Sequence, residues 1–198
     1  MVAERVERLL TESAKAHRHA CPRQVLGIRL ALLAGERLGL ELPRDDRRLL
    51  VITETDGCMV DGVMAATHCQ VGRRTLRVED FGVLAATFID AHSEQAVRIR
   101  PRSDARERAR AYAPEARSVW RAQLLGYQRM PADELLEVQD VRLKTPLAQL
   151  ISRPRARAVC AICGDEIRNE REIVHEGLVL CRSCAGQSYY DVLERSTG

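Results

Sequence analysis

The chain has 198 residues, 45% of them hydrophobic and 30% charged, with a net charge of +3 at pH 7. That is enough apolar content for one medium domain and a small module, it excludes a disordered chain, and the charge is too weak to imply a nucleic-acid or membrane partner. Aromatics are 4%, so aliphatic side chains and alanine must fill the core; the basic residues are nearly all arginine, with only Lys15 and Lys144 as lysine.

Taken in order, residues 2–16 have helical apolar spacing at Val2, Val6, Leu9 and Leu10. Pro22 suits the first position of a second helix that Gly39 would close. Leu49–Thr55 reads as a strand, Cys58 to about Thr67 as a helix broken by Gly72, and Leu76–Val78, Val83–Ile89 and Val97–Ile99 as further strands. An Arg-, Ala- and Glu-rich stretch from Ser103 to Met130 predicts a long helix with Pro114 as an internal boundary. Pro131 starts a short helix, and Glu137–Leu143 returns as a strand. Helices and strands without regular alternation predict an α+β fold of mixed α/β layers. The expected division is a domain over 1–150, an Arg-rich linker over 151–158 and a cysteine module over 159–198. The apolar helix over residues 25–38 exceeds what one small sheet covers, which suggests self-association as a homodimer.

Seven cysteines are present. Residues 1–20 are charged throughout and hold no apolar signal-like run, and no stretch reaches the length of a membrane span. The expected location is the reducing cytoplasm, with no membrane partner, where paired cysteines point to metal or catalysis before disulfides.

Cys160-x-x-Cys163 and Cys181-x-x-Cys184 are separated by 17 residues. Two such turns offer four thiolates to one tetrahedral ion and close its coordination sphere, so the expected cofactor is a structural Zn2+. Cys163-Gly164 suits a knuckle turn. Glu172–Val174 and Leu178–Leu180 flank His175-Glu176-Gly177 as a hairpin, and Cys181 opens a C-terminal helix through Tyr190 and Leu193. The layout resembles a treble-clef finger. His175 is expected as a solvated turn residue. Arg153, Arg155, Arg157 and Arg168 lack accompanying base-stacking aromatics, which argues against nucleic acid.

The remaining cysteines, Cys21, Cys58 and Cys69, have His17, His19 and His68 near them in sequence. Cys21 precedes Pro22 and Cys58 follows Gly57, each at a helix start, where the dipole favours a thiolate. A second metal or redox site is expected from His17, His19, Cys21, Cys58 and Cys69, for a second divalent metal. The bland alternative is that these thiols are buried as small apolar side chains. An enzyme reading gives Cys21 as nucleophile or redox thiol, His17 or His19 as base and Asp61 as orienting carboxylate. A third reading is a regulatory finger protein that binds nucleic acid or protein.

The segments His17-Arg18-His19-Ala20-Cys21-Pro22-Arg23, Glu54-Thr55-Asp56-Gly57-Cys58-Met59-Val60-Asp61, His68-Cys69-Gln70-Val71-Gly72 and Asp80-Phe81-Gly82 stand in this order. In order and spacing the domain resembles the family named for the E-subunit of formylmethanofuran dehydrogenase, many members of which also end in a four-cysteine finger. Arg18 and Arg23 stand where the family pattern has glycine, and His68-Cys69-Gln70 where it has Gly-Cys-Thr. The resemblance implies a dimeric metal-binding α+β domain with a His/Cys site, handling a metal or cofactor for a molybdenum-type redox enzyme.

Overall fold

The computed structural model describes residues 2–151 and 156–192, and at 2, 16 and 17 the backbone alone. The chain divides into two compact units, Met1–Lys144 and Thr145–Gly198.

The first unit is α+β. Its helices are α1 (Val2–His17), α2 (Pro22–Leu38), α3 (Cys58–Thr67), α4 (Ala105–Arg108), α5 (Val119–Arg129) and α6 (Ala132–Leu135). Its strands are β1 (Leu49–Thr53), β2 (Leu76–Val78), β3 (Ala86–Asp90), β4 (Ala96–Pro101) and β5 (Leu136–Val141). They form one sheet in the order β2-β1-β3-β4-β5. β1 and β2 run parallel with α3 as their crossover, and the other pairs are antiparallel. Register fixes the inward face: Leu76 lies beside Val51, Val51 beside Phe88, and Phe88 beside Val97. With Ala86 and Ile99 these residues join the core under the helices. Each fully buried Leu, Ile or Phe there contributes roughly 1.5–3 kcal/mol.

α2 lies at the centre. Pro22 sits at its start, where a missing N–H is harmless, and Gly39 closes it at φ 63 with Leu40 donating back to the Gly35 carbonyl at 2.8 Å. Val25, Ile28, Leu30, Ala31 and Ala34 are all buried within this unit. The uncovered apolar face expected over residues 25–38 is therefore absent, because α1, α3, α5 and the sheet enclose the helix.

Glycines set the helix crossing. A Cβ on Gly27 would meet the Met59 carbonyl oxygen at 2.1 Å, and one on Gly62 would meet that of Gln24 at 2.1 Å. α2 and α3 thus touch backbone to backbone, as only glycine permits.

Where one long helix was expected between Ser103 and Met130, the structure has α4, a run of turns and then α5. The turns bring the Ala109 backbone to 2.4 Å from where a Gly126 Cβ would sit, and Ser118 caps α5 by accepting from the Arg121 N–H. The buried Arg29 of α2 donates to the Tyr127, Gln128 and Met130 carbonyls at the far end of α5.

The second unit carries α7 (Leu147–Leu150) and two hairpins, β6 (Arg157–Val159) with β7 (Glu166–Arg168) and β8 (Ile173–His175) with β9 (Leu178–Leu180). β6 takes up the last residues of the stretch read as a linker; Arg153 and Arg155 lie outside the described residues. After β9 a single widened turn spans Ser183–Gln187 and ends at Gly186, φ 83, with Ser188 extended. The expected helix through Tyr190 is cut short there, and Leu193 lies outside the described residues.

Candidate metal centre

In the second unit each hairpin delivers part of a thiol cluster. Cys160 and Cys163 flank the turn between β6 and β7, and Cys181 and Cys184 follow β9 into the widened turn. The ligand atoms of the four lie within 4.8 Å of one another. Cys163 Sγ and Cys181 Sγ are 3.8 Å apart. A tetrahedral ion with metal–sulfur bonds of about 2.3 Å holds its sulfurs about 3.8 Å apart, so the donor set fits. Cys160 is buried beside Ile167 and Leu180, a core far too small to organise these turns alone.

The electrostatics point the same way. Backbone N–H groups of Cys163, Cys181 and Ile162 bring the Cys160 thiol down to about 6. The Asp165 N–H lowers its neighbour Cys163, but the Cys160 thiol, burial and the Asp165 carboxylate outweigh it and push Cys163 up to about 12. The Cys181 thiol likewise raises Cys184. Four sulfurs this close cannot all ionise unless a multivalent cation offsets their repulsion. His175 is exposed at the tip of the β8–β9 hairpin.

In the first unit the α2–α3 crossing brings two of the expected residues together. Cys21 is the N-cap of α2, in extended geometry at φ −135 and ψ 142. Cys58 opens α3 behind Gly57, whose φ of 83 and ψ of −155 only glycine adopts freely. The Cys58 thiol hydrogen-bonds the Cys21 thiol, and the Arg23 guanidinium stands within electrostatic range. Burial first, then the Cys21 thiol, push the Cys58 thiol up. The expectation of a thiolate at this helix start is therefore corrected: with no cation present, desolvation and a second thiol outweigh the dipole.

His19 is exposed just before the pair, and the His17 side chain lies outside the described residues. Asp61 is half-buried one turn beyond Cys58 and lines a cleft of about 400 Å³ with Glu12, Ser13, Met64, His68 and Arg73. Cys69 does not join the pair. It lies past the other end of α3, and a ten-residue helix spans about 15 Å. Cys69 is buried, its thiol donates to the Leu49 carbonyl at 3.5 Å, and burial raises it. That is the packing role given above as the bland alternative. His68 ends α3 with Nδ1 3.2 Å from Asp45, which Arg73 also binds. Among the described residues the four finger cysteines are the only group of three or more His, Cys, Asp or Glu with converging ligand atoms.

Two supporting residues escaped the sequence reading. Gln24 is fully buried, accepts the Cys21 N–H at 2.7 Å and donates to Ser13 Oγ at 3.0 Å, so it ties α1 to the start of α2. The signal was there, since Cys21-x-x-Gln24 is a capping-box spacing with cysteine as the cap. Glu54, after β1, is gripped by Arg98 of β4 through two bonds of 2.6 and 2.7 Å, which anchors the turn leading to Cys58.

The family model described as "FmdE, Molybdenum formylmethanofuran dehydrogenase operon" matches residues 16–137, which hold both members of the thiol pair. The chain belongs to the FmdE family. The FmdE chain shares its fold with a crystal structure from Syntrophus aciditrophicus, that of a tungsten formylmethanofuran dehydrogenase FmdE-like protein. The TM-score is 0.60 at 23% identity, covering 93% of this chain and 94% of that one. It is also 28% identical to a "Probable S-adenosyl-L-methionine-binding protein" of Archaeoglobus fulgidus. That match covers 96% of this chain but 56% of the relative, so the FmdE chain spans little more than half of that protein. Among the described residues no helix is long and apolar enough to cross a membrane.

Proposed function

We propose that this chain is a cytoplasmic metal-binding protein that handles a metal or cofactor for a molybdenum- or tungsten-type redox enzyme. It would use two separate sites. In the first, Cys160, Cys163, Cys181 and Cys184 hold one Zn2+ in a closed, structural shell. The observation that carries this is the convergence of four sulfurs within 4.8 Å, at a spacing a tetrahedral ion requires. Zinc is the choice because an all-thiolate tetrahedral set suits a borderline-soft ion without redox chemistry.

In the second site, Cys21 and Cys58 form the sulfur half and His17 and His19 the nitrogen half of an open site for a divalent metal. The touching thiols support this reading: burial and the Cys21 thiol keep Cys58 neutral, and a cation between them would turn both into thiolate ligands. A raised Cys58 thiol is the opposite of an activated nucleophile, which counts against the thiol-enzyme reading. The partner enzyme is inferred from the family's description. A homodimer rests on the family resemblance alone, since α2 is covered within its own unit.

The archaeal relative favours a second reading, in which S-adenosyl-L-methionine occupies the cleft between α1 and α3. The Glu12 and Asp61 carboxylates would face its sulfonium and Met64 its apolar part. Calorimetric titration of the full chain decides: saturable heat that Asp61→Asn weakens supports it, and no heat ends it.

The metal reading is tested by adding cobalt(II) to metal-free protein. Four-thiolate tetrahedral cobalt should appear first with one equivalent, and a second, mixed sulfur–nitrogen species with the next. The second should vanish in Cys21→Ala. A single species that Cys21→Ala leaves unchanged would refute the second site.

A further inference from the structure

A second cleft of about 400 Å³ opens in the first unit, away from both cysteine groups. It shares no residue with the thiol pair, with the four-cysteine cluster or with the α1–α3 cleft. Its floor is apolar, with Leu26 of α2, Leu84 ahead of β3 and the buried Tyr127 of α5. Its rim holds three guanidinium groups, Arg100 at the end of β4 and Arg102 and Arg106 around the start of α4. No Asp or Glu among the described residues lines it.

The three arginines differ in how they are occupied. Arg100 is paired with Glu137 at 2.8 Å. Arg102 and Arg106 are exposed, and among the described residues their side chains make no hydrogen bond or ion pair. Like charges gathered at a concave, low-dielectric wall repel one another and focus a positive potential into the cleft. An anion there relieves that repulsion, and the planar forks of two guanidinium groups suit the oxygens of a carboxylate or phosphate. Tyr127 adds a donor: burial raises its phenol, keeping it protonated, and it stands within electrostatic range of Arg106. An apolar floor with a few convergent polar groups, at a volume in the range of roughly 300–1,000 Å³, is the make-up of a small-molecule site.

We propose that this cleft binds a small amphipathic anion, its apolar body on Leu26, Leu84 and Tyr127 and its carboxylate or phosphate head held by Arg102 and Arg106. This is independent of the metal sites and stands or falls apart from them.

The test uses the full chain and the fluorescent probe 8-anilinonaphthalene-1-sulfonate, with the neutral N-phenyl-1-naphthylamine as its uncharged counterpart. Wild type should bind the anionic probe saturably. Arg102→Gln/Arg106→Gln should weaken it at least tenfold and leave the neutral probe within twofold, while Arg102→Lys/Arg106→Lys should retain most of the affinity. Competition then separates the heads: decanoate and decyl phosphate have equal chains, and whichever displaces the probe at lower concentration names the preferred anion. The proposal is overturned if wild type shows no saturable binding. It is equally overturned if the glutamine variant binds the anionic probe as wild type does or loses both probes alike, or if neither competitor displaces the probe.

Discussion

Gly62→Ala should destabilise the first unit, although alanine is the better helix former. Helix propensity alone would stabilise α3 by about 1 kcal/mol. The new Cβ, however, would lie 2.1 Å from the Gln24 carbonyl oxygen and 2.9 Å from its carbon. Non-bonded carbon contacts relax only at about 3.5 Å, so α2 and α3 must part by roughly 1 Å along a buried seam. Overpacking of that kind costs about 1–3 kcal/mol, occasionally more, and here the obstacle is backbone that cannot rotate away. The net expectation is a loss of about 2 kcal/mol. For a unit of this size that lowers Tm by roughly 6–8 °C. Trp120 is the only tryptophan and lies in α5, so its fluorescence reads the first unit and not the finger. Gly72→Ala is the control, because a Cβ there meets nothing within 4 Å, and its Tm should match wild type or rise slightly. Since the same seam brings Cys21 against Cys58, Gly62→Ala should also weaken metal binding at that pair. A Tm for Gly62→Ala at or above wild type would refute the glycine crossing.

Other outcomes follow from named contacts. Arg29→Met removes the donor to three carbonyls at the end of α5 and should cost about 3 kcal/mol, read by the same fluorescence melt. Arg48, with the His92 N–H and Ser93, holds the buried Asp90 carboxyl well below the usual carboxylate range. A depressed folded-state value gives stability that is complete above the unfolded value of about 4 and is lost as pH falls toward the folded one. Asp90→Asn should therefore lower Tm at pH 7 but progressively less below about pH 4; a constant difference would contradict this. Sedimentation at micromolar concentration should show a dimer, and a clean monomer would remove the homodimer proposal.

Much of the fold was readable because its signals are local. Pro22 and Gly39 bound α2 as expected, and the β-branched run at Leu49–Thr53 is a strand. The four finger cysteines converge because short turns fix each pair. What escaped the sequence depends on distant partners. Gly27 and Gly62 look like weak points in helices until α2 and α3 are seen to touch there. The Ser103–Met130 stretch has helix-forming composition throughout, but Ala109 against Gly126, Pro114 and the Ser118 cap break it into pieces. Cys58 and Cys69 seem equivalent in sequence, yet α3 holds them at opposite ends, one against Cys21 and the other in the core.

The central claim is two independent metal sites on one chain, and counting metal tests it most directly. Elemental analysis of the full-length protein, purified with divalent metal supplied and then freed of loosely bound ions, should give two equivalents. Cys21→Ala/Cys58→Ala should give one, and Cys163→Ser/Cys184→Ser should also give one. A wild-type chain with a single equivalent, unchanged by Cys21→Ala/Cys58→Ala, would contradict the account and leave Cys21 and Cys58 as packing residues at a helix crossing.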